Sequence, residues 1–144
     1  MKSEQRFVFD TNTLISAACF DRSFGRRAYE YVRDHSTFLV CRESVAELRD
    51  VADRGKFNKF IEPAARLEFV EAYIDRAELI DIPGTFRVSR DPTDDKFPEL
   101  AVVGKAQFIV TRDKDLLVLD PFQGVQILDA ENLVALLAAQ ITEG

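Results

Sequence analysis

Imidazole and thiol groups are scarce in this chain: its 144 residues include one histidine, His35, and two cysteines, Cys19 and Cys41. The cysteines lie in apolar segments without CxxC spacing, so a Cys/His zinc site lacks its ligands and a Ser-His-Asp or Cys-His triad lacks its parts. Buried free thiols are the expectation. Six glycines and five prolines are too few for collagen-like or low-complexity sequence, and 47% hydrophobic with 31% charged residues describes a compact globular protein rather than a disordered one. No apolar run approaches the ~20 residues that span a bilayer. The opening Met1-Lys2-Ser3-Glu4-Gln5 leads into only a short apolar stretch before Asp10, which predicts a cytoplasmic protein with no membrane segment. The length predicts a single domain over residues 1–144.

Excess positive charge is also missing. With 25 acidic against 19 basic residues the net charge is −6, which argues against a generic DNA-coating or membrane-surface protein. If about five carboxylates share one cleft, the remainder is nearly balanced, and catalysis in a chain so poor in His and Cys must run on carboxylates.

What is present is a series of short apolar runs. Phe7-Val8-Phe9 ends at Asp10, and Thr37–Cys41, Leu79–Ile82, Phe108–Val110 and Val125–Leu128 resemble it in being short and rich in β-branched or aromatic residues. Stretches long enough for helices separate them, which predicts a parallel sheet whose strands are buried on both faces. Helical periodicity appears at Phe24, Ala28, Tyr31 and Val32, and again at Leu67, Val70, Ile74 and Ala77 after Pro63, which suits a first-turn position. Asp129 is placed to cap a closing helix through Leu133, Val134, Leu137 and Ile141.

The acidic residues fall where such a sheet binds ligands, outside the carboxyl ends of its strands. Asp10 follows the first strand in Asp10-Thr11-Asn12-Thr13, where Asp10 or Thr11 also suits a helix cap. Asp113 and Asp115 follow Phe108-Ile109-Val110-Thr111-Arg112, a segment that also reads as a charged surface turn. Asp91, Asp94 and Asp95 crowd five positions ahead of a helical pattern through Phe97, Leu100, Ala101 and Gly104. Pro98 points to a helix capped at Asp95 with Asp94 free. Glu47 has a local alternative, because Ser44-Val45-Ala46-Glu47 reads as a capping box in which Glu47 returns to the Ser44 amide.

These four segments, in this order, resemble the PIN-domain nucleases, in particular the small VapC-like toxins of toxin–antitoxin pairs. The motifs are Asp-Thr-Asn-x-Leu-Ile (Asp10 to Ile15), Ser-x-x-Glu-Leu (Ser44 to Leu48), Asp-Pro-Thr-Asp-Asp-Lys-Phe (Asp91 to Phe97) and Phe-Ile-Val-Thr-Arg-Asp-Lys-Asp-Leu (Phe108 to Leu116). The resemblance implies a three-layer α/β/α fold with a central, mainly parallel sheet of four to five strands. It also implies four catalytic acids, Asp10, Glu47, Asp94 and Asp113, with Asp115 as a frequent fifth and Asn12 and Thr111 in support by hydrogen bonding. Asp91, Asp94 and Asp95 compete for the third position. Asp94 has the family's spacing, three residues before Phe97 and seven before Ala101, whereas Pro98 departs from the usual helix former.

The expected activity is hydrolysis of RNA phosphodiester bonds by an endoribonuclease. Clustered carboxylates raise one another's pKa unless a cation neutralises them, and oxygen ligands without His or Cys select Mg²⁺ or Mn²⁺. Asp10, Asp94 and Asp113 are the expected metal ligands, with Glu47 completing or orienting the shell. Lys96, Arg112 and Lys114 are candidate contacts to single-stranded RNA, with Arg22, Arg26 and Arg27 nearby. A toxin of this kind implies an antitoxin partner and a homodimer. Two competing readings are a catalytically silent PIN fold that binds RNA or protein, and a haloacid dehalogenase-like phosphatase. In the latter Asn12 stands where the general-acid Asp belongs.

Overall fold

A computed structural model describes residues 5–143, with the side chains of residues 141–143 outside the described set. Met1 to Glu4 of the opening segment, and the Ile141 side chain of the closing helix, therefore lie outside the described residues.

The chain alternates strands and helices: β1 (Arg6–Phe9), α1 (Thr11–Cys19), α2 (Phe24–His35), β2 (Thr37–Val40), α3 (Arg42–Ala52), α4 (Pro63–Arg76), β3 (Glu78–Leu79), α5 (Lys96–Val103), β4 (Phe108–Val110), α6 (Lys114–Leu117), β5 (Gln126–Leu128) and α7 (Ala130–Glu143). Short 3-10 turns occupy Gly55–Phe57 and Pro92–Asp94. The strands pair in the order β3-β2-β1-β4-β5, all parallel. The fold is that expected of a PIN domain, with β1 at the centre and every strand ending at the same edge.

Strand alternation divides the apolar residues between two layers. Phe7, Phe9, Phe38, Val40, Phe108 and Val110 face one cluster, where Ala28, Tyr29 and Val32 of α2, Val70 and Tyr73 of α4 and Leu133 of α7 pack. Val8, Leu39, Ile109 and Ile127 face the other, against Phe97, Leu100 and Ala101 of α5 and Leu116 of α6. Phe7 and Phe108 stack across β1 and β4 with ring centroids 4.9 Å apart. At the end of α5, a Cβ on Gly104 would stand 2.6 Å from Leu39 Cδ1, so only glycine lets this helix close onto β2.

The helix faces differ from the expected stripes. In α2 the buried positions are Gly25, Ala28, Tyr29 and Val32, while Phe24 is exposed. In α4 they are Arg66, Val70 and Tyr73, and Leu67 is exposed. Arg66 enters the core because backbone and amide oxygens receive it: its guanidinium donates to the Ala52 carbonyl at 2.5 Å and to Asn58 Oδ1 at 3.1 Å. The strand expected over 79–82 is shorter. Ile80 still donates to the Val40 carbonyl at 2.8 Å, but Pro83 and the positive-φ Gly84 turn the chain away from the ladder.

The irregular segment that follows is held by two acids buried in α5 and its cap. Glu99 accepts the N–H groups of Gly84, Thr85 and Phe86 at 2.7, 3.2 and 3.2 Å. Asp95 Oδ1 accepts those of Val88 and Ser89 at 3.0 and 2.7 Å. Glu99→Ala strands three donors of this segment and should lower stability by about 2–3 kcal/mol, measured as a lower urea midpoint. An unchanged midpoint would mean that the segment supports itself.

Candidate active site

The site begins with the junction of β1 and α1. Asp10 is extended at the end of the strand and caps the helix, its Oδ1 accepting the Thr13 N–H at 2.9 Å. Its Oδ2 accepts the hydroxyl of Thr111, the residue that follows β4, and the Asp10 N–H donates to the Val110 carbonyl at 3.1 Å. Capping and placement at the site are therefore the same geometry. Asp10 is 5% exposed. Burial pushes its carboxyl above the ordinary value, the hydrogen bonds from Thr111 and Thr13 pull it down, and the charge of Asp113 adds to the rise.

Thr111 places a second acid with the same oxygen, which accepts the Asp113 N–H at 3.0 Å. Asp113 caps α6, and its Oδ1 accepts the N–H of Asp115 at 2.9 Å, so Asp115 joins the site through its backbone. The third acid arrives from the turn Pro92–Asp94. Here the three neighbouring aspartates separate by role. Asp91 caps the turn by accepting the Thr93 N–H and hydroxyl at 3.0 and 2.8 Å. Asp95 stands at the N-cap position of α5 but turns its side chain to Val88 and Ser89. Of the three, Asp94 is the one whose carboxyl is raised by Asp113. Burial first, then the hydrogen bond and charge of Asp113, push the Asp94 carboxyl up to about 7, while Lys96 opposes the rise. Pro98 sits in the first turn of α5, where its missing N–H costs no helical bond.

Glu47 reaches the cleft from α3, one layer away. The expected capping box is displaced by one turn: α3 starts at Arg42, its cap is Cys41, and the Ser44 hydroxyl accepts the Cys41 N–H at 3.0 Å. Glu47 lies beyond that box and is free of it. Its Oε1 accepts the hydroxyl of Thr11, and its Oε2 accepts Lys96 Nζ at 2.7 Å. Thr11 is a site residue that sequence reading passed over, since a hydroxyl beside a capping Asp already has an explanation. The Asn12 side chain is exposed on α1 and makes no hydrogen bond to the acids among the described residues. Arg112 and Lys114 are exposed beside Asp113. Arg26 is occupied by the Ala17 carbonyl at 2.7 Å and the Phe69 ring, and Arg27 lies over the Phe24 ring.

Two clefts are lined by sequence neighbours of the acids, and neither by Asp10, Asp94 or Asp113 themselves. One, of about 300 Å³, is lined by Thr13, Ser23, Arg112 and Glu131. The other, of about 400 Å³, is lined by Glu43, Glu47, Phe86, Arg87 and Lys96. Among the described residues, no three carboxylate, imidazole or thiol side chains already stand as a ready-made metal shell. The chemistry of the donors nevertheless fits a divalent cation. They are hard oxygens, and the Asp94 carboxyl, pushed up to about 7 first by burial and then by Asp113, would be drawn back down by a bound cation. A phosphatase reading is disfavoured at Asn12, which stands where the general-acid Asp belongs and makes no hydrogen bond to Asp10 among the described residues.

A family profile described as PIN domain matches residues 6–115. Among solved structures, the chain is similar to PAE2754 from Pyrobaculum aerophilum, with 19% identity, a TM-score of 0.63 and coverage of 94% of this chain and 90% of that one. It is also similar to a chain of VapBC2 from Rickettsia felis bound to a DNA fragment from their promoter (13% identity, TM-score 0.58, 85% and 97% coverage). A chain of DNA-bound VapBC from Salmonella typhimurium gives 20% identity, a TM-score of 0.56 and coverage of 88% and 98%. At these identities the structural likeness is one of fold. No curated protein matches the chain significantly.

The raised Asp94 carboxyl sets the sign of a stability effect. The folded chain binds this proton more tightly than the unfolded chain does, so the contribution of this group to stability is complete below about pH 4 and is lost as pH rises through about 7. Asp94→Asn removes that loss. In EDTA at pH 8 the variant should be more stable than the parent by about 1 kcal/mol after allowance for solvent screening, with the gap closing toward pH 4. Melting curves across this range measure it, and a variant less stable at pH 8 would contradict the charge crowding inferred for the site.

Proposed function

The chain belongs to the PIN-domain family, and on that premise we propose that it is an endoribonuclease that hydrolyses RNA phosphodiester bonds at a carboxylate-held Mg²⁺ or Mn²⁺ site. PIN nucleases in general use divalent metal ions. The observation that carries the reading is the Thr111 hydroxyl, which holds Asp10 and the Asp113 backbone together at the ends of two adjacent strands, with the Asp94 carboxyl pushed up to about 7 first by burial and then by Asp113.

Asp10, Asp94 and Asp113 would hold the ion. When bound, it supplies polarisation of the phosphodiester and a lowered pKa for the attacking water. The chain's own contribution is orientation. Thr111 fixes Asp10 through its hydroxyl and Asp113 through the backbone N–H, so two ligands share one anchor. Asp94, whose carboxyl is raised in the metal-free chain, would serve as a ligand in its ionised form. Thr11 and Lys96 hold Glu47 at the margin of the cleft. Arg112 and Lys114, exposed beside Asp113, supply positive charge for the backbone of a single-stranded RNA in a chain whose net charge is −6.

The likeness to chains of two VapBC assemblies supports the toxin of a toxin–antitoxin pair with an antitoxin as partner; a homodimer and a cytoplasmic compartment belong to the same proposal. An exposed aromatic pair, Phe20 and Phe60, with centroids 4.9 Å apart, gives such a protein partner apolar surface. Among the described residues no helix is long and apolar enough to cross a membrane.

Cleavage of structured and unstructured RNA with Mg²⁺, with Mn²⁺ and with EDTA tests the proposal, comparing the parent with Asp10→Asn and Asp113→Asn. Metal-dependent cleavage that falls by about 10²- to 10³-fold in each variant is expected. Folded parent protein that binds RNA but leaves it intact under every condition would overturn the enzyme in favour of a silent binding fold.

A further inference from the structure

Lys96 is an unusual lysine in this chain. Surface lysines are normally solvated and mobile. The Lys96 side chain is only 12% exposed, and its ammonium donates to Glu47 Oε2 at 2.7 Å and to the Thr93 carbonyl. It also lies 4.9 Å from the centroid of the Phe97 ring. Its backbone is fixed as the first residue of α5, directly after the clasp in which Asp95 holds Val88 and Ser89.

Each oxygen of the Glu47 carboxylate has a partner as a result. One oxygen accepts from Thr11, the other from Lys96, and the side chain is 32% exposed. The acidic cleft is thus divided. On one side Asp10, Asp94 and Asp113 have no direct ion pair among the described residues, Lys96 acting on Asp94 through its charge alone, and on the other Glu47 is paired with the Lys96 ammonium.

We propose that Lys96 is a positioning residue whose ammonium stands in the place of a second metal ion, holding Glu47 out of the inner shell so that the cleft takes a single divalent cation. The inference rests on the carboxylate-nuclease reading above. A compact ammonium is a point charge that can neutralise a carboxylate as a metal ion would, without completing a two-metal clamp. An exposed ion pair, worth little and free to dissociate, would leave Glu47 available as a ligand. Burial and the contacts to Glu47, Thr93 and the Phe97 ring distinguish this pair from that case.

Calorimetric titration of Mn²⁺ into the metal-free parent, Lys96→Met, Lys96→Arg and Glu47→Gln tests the division, with RNA cleavage followed against Mn²⁺ concentration in parallel. The parent and Lys96→Arg should bind one ion per chain. Lys96→Met, with Glu47 released, should bind two, and its cleavage should depend on Mn²⁺ with a Hill coefficient that rises from about 1 to about 2. Two ions in the parent, or one in both the parent and Lys96→Met, would overturn the inference. Glu47→Gln keeps the test decisive if Lys96→Met does not fold. Its Mn²⁺ affinity should stay within about threefold of the parent, and a loss beyond about tenfold would make Glu47 a ligand and refute the proposal. A parent that binds one ion and cleaves RNA while Lys96→Met is unchanged refutes only the role of Lys96. A parent that neither binds Mn²⁺ nor cleaves refutes the nuclease reading, and this inference with it.

Discussion

The hydroxyl of Thr111 joins the ends of the two central strands: it donates to the Asp10 carboxylate and accepts the N–H of Asp113. Parallel pairing of β1 with β4, in the register Phe9 to Val110, is what brings these residues side by side. Placed there, Asp10 and Asp113 must share a partly desolvated space, and the hydroxyl offsets only part of that cost. Bringing Asp94 against Asp113 adds a third acid to an already crowded edge. The fold therefore maintains an electrostatically unfavourable arrangement, and two apolar layers packed on both faces of the sheet stabilise the chain against it.

Other buried acids follow the opposite logic. Glu99 and Asp95 are each satisfied by backbone N–H groups, and both anchor the irregular segment between β3 and α5. Glu47 is satisfied by a hydroxyl and an ammonium. Asp10 and Asp113 differ in that each spends one oxygen on a helix cap while its carboxyl also stands beside another acid.

Much of the fold was legible in the amino-acid sequence. Short apolar runs such as Phe7-Val8-Phe9 and Phe108-Ile109-Val110 contain alternating side chains that go to different layers, which requires burial on both faces and hence parallel strands covered by helices. Helix faces were read less well. Tyr29 and Arg66 are buried while Phe24 and Leu67 are exposed, because hydrogen bonding and ring packing override side-chain hydropathy at single positions. The strand over 79–82 was cut short by Pro83 and Gly84. In the candidate site, the sequence pattern placed Asp10 and Asp113 at strand ends, yet only tertiary contact separates Asp94 from Asp91 and Asp95. The Thr11–Glu47 and Lys96–Glu47 contacts join residues 36 and 49 positions apart, beyond the reach of local pattern.

The account stands on the claim that Asp10, Asp94 and Asp113 are gathered to receive a cation. A crystal of the protein equilibrated with Mn²⁺, measured for anomalous scattering from manganese, tests this most directly. The account predicts one strong anomalous peak among these three carboxylates. An absence of peaks there at saturating Mn²⁺, or a single peak elsewhere on the surface, would contradict it.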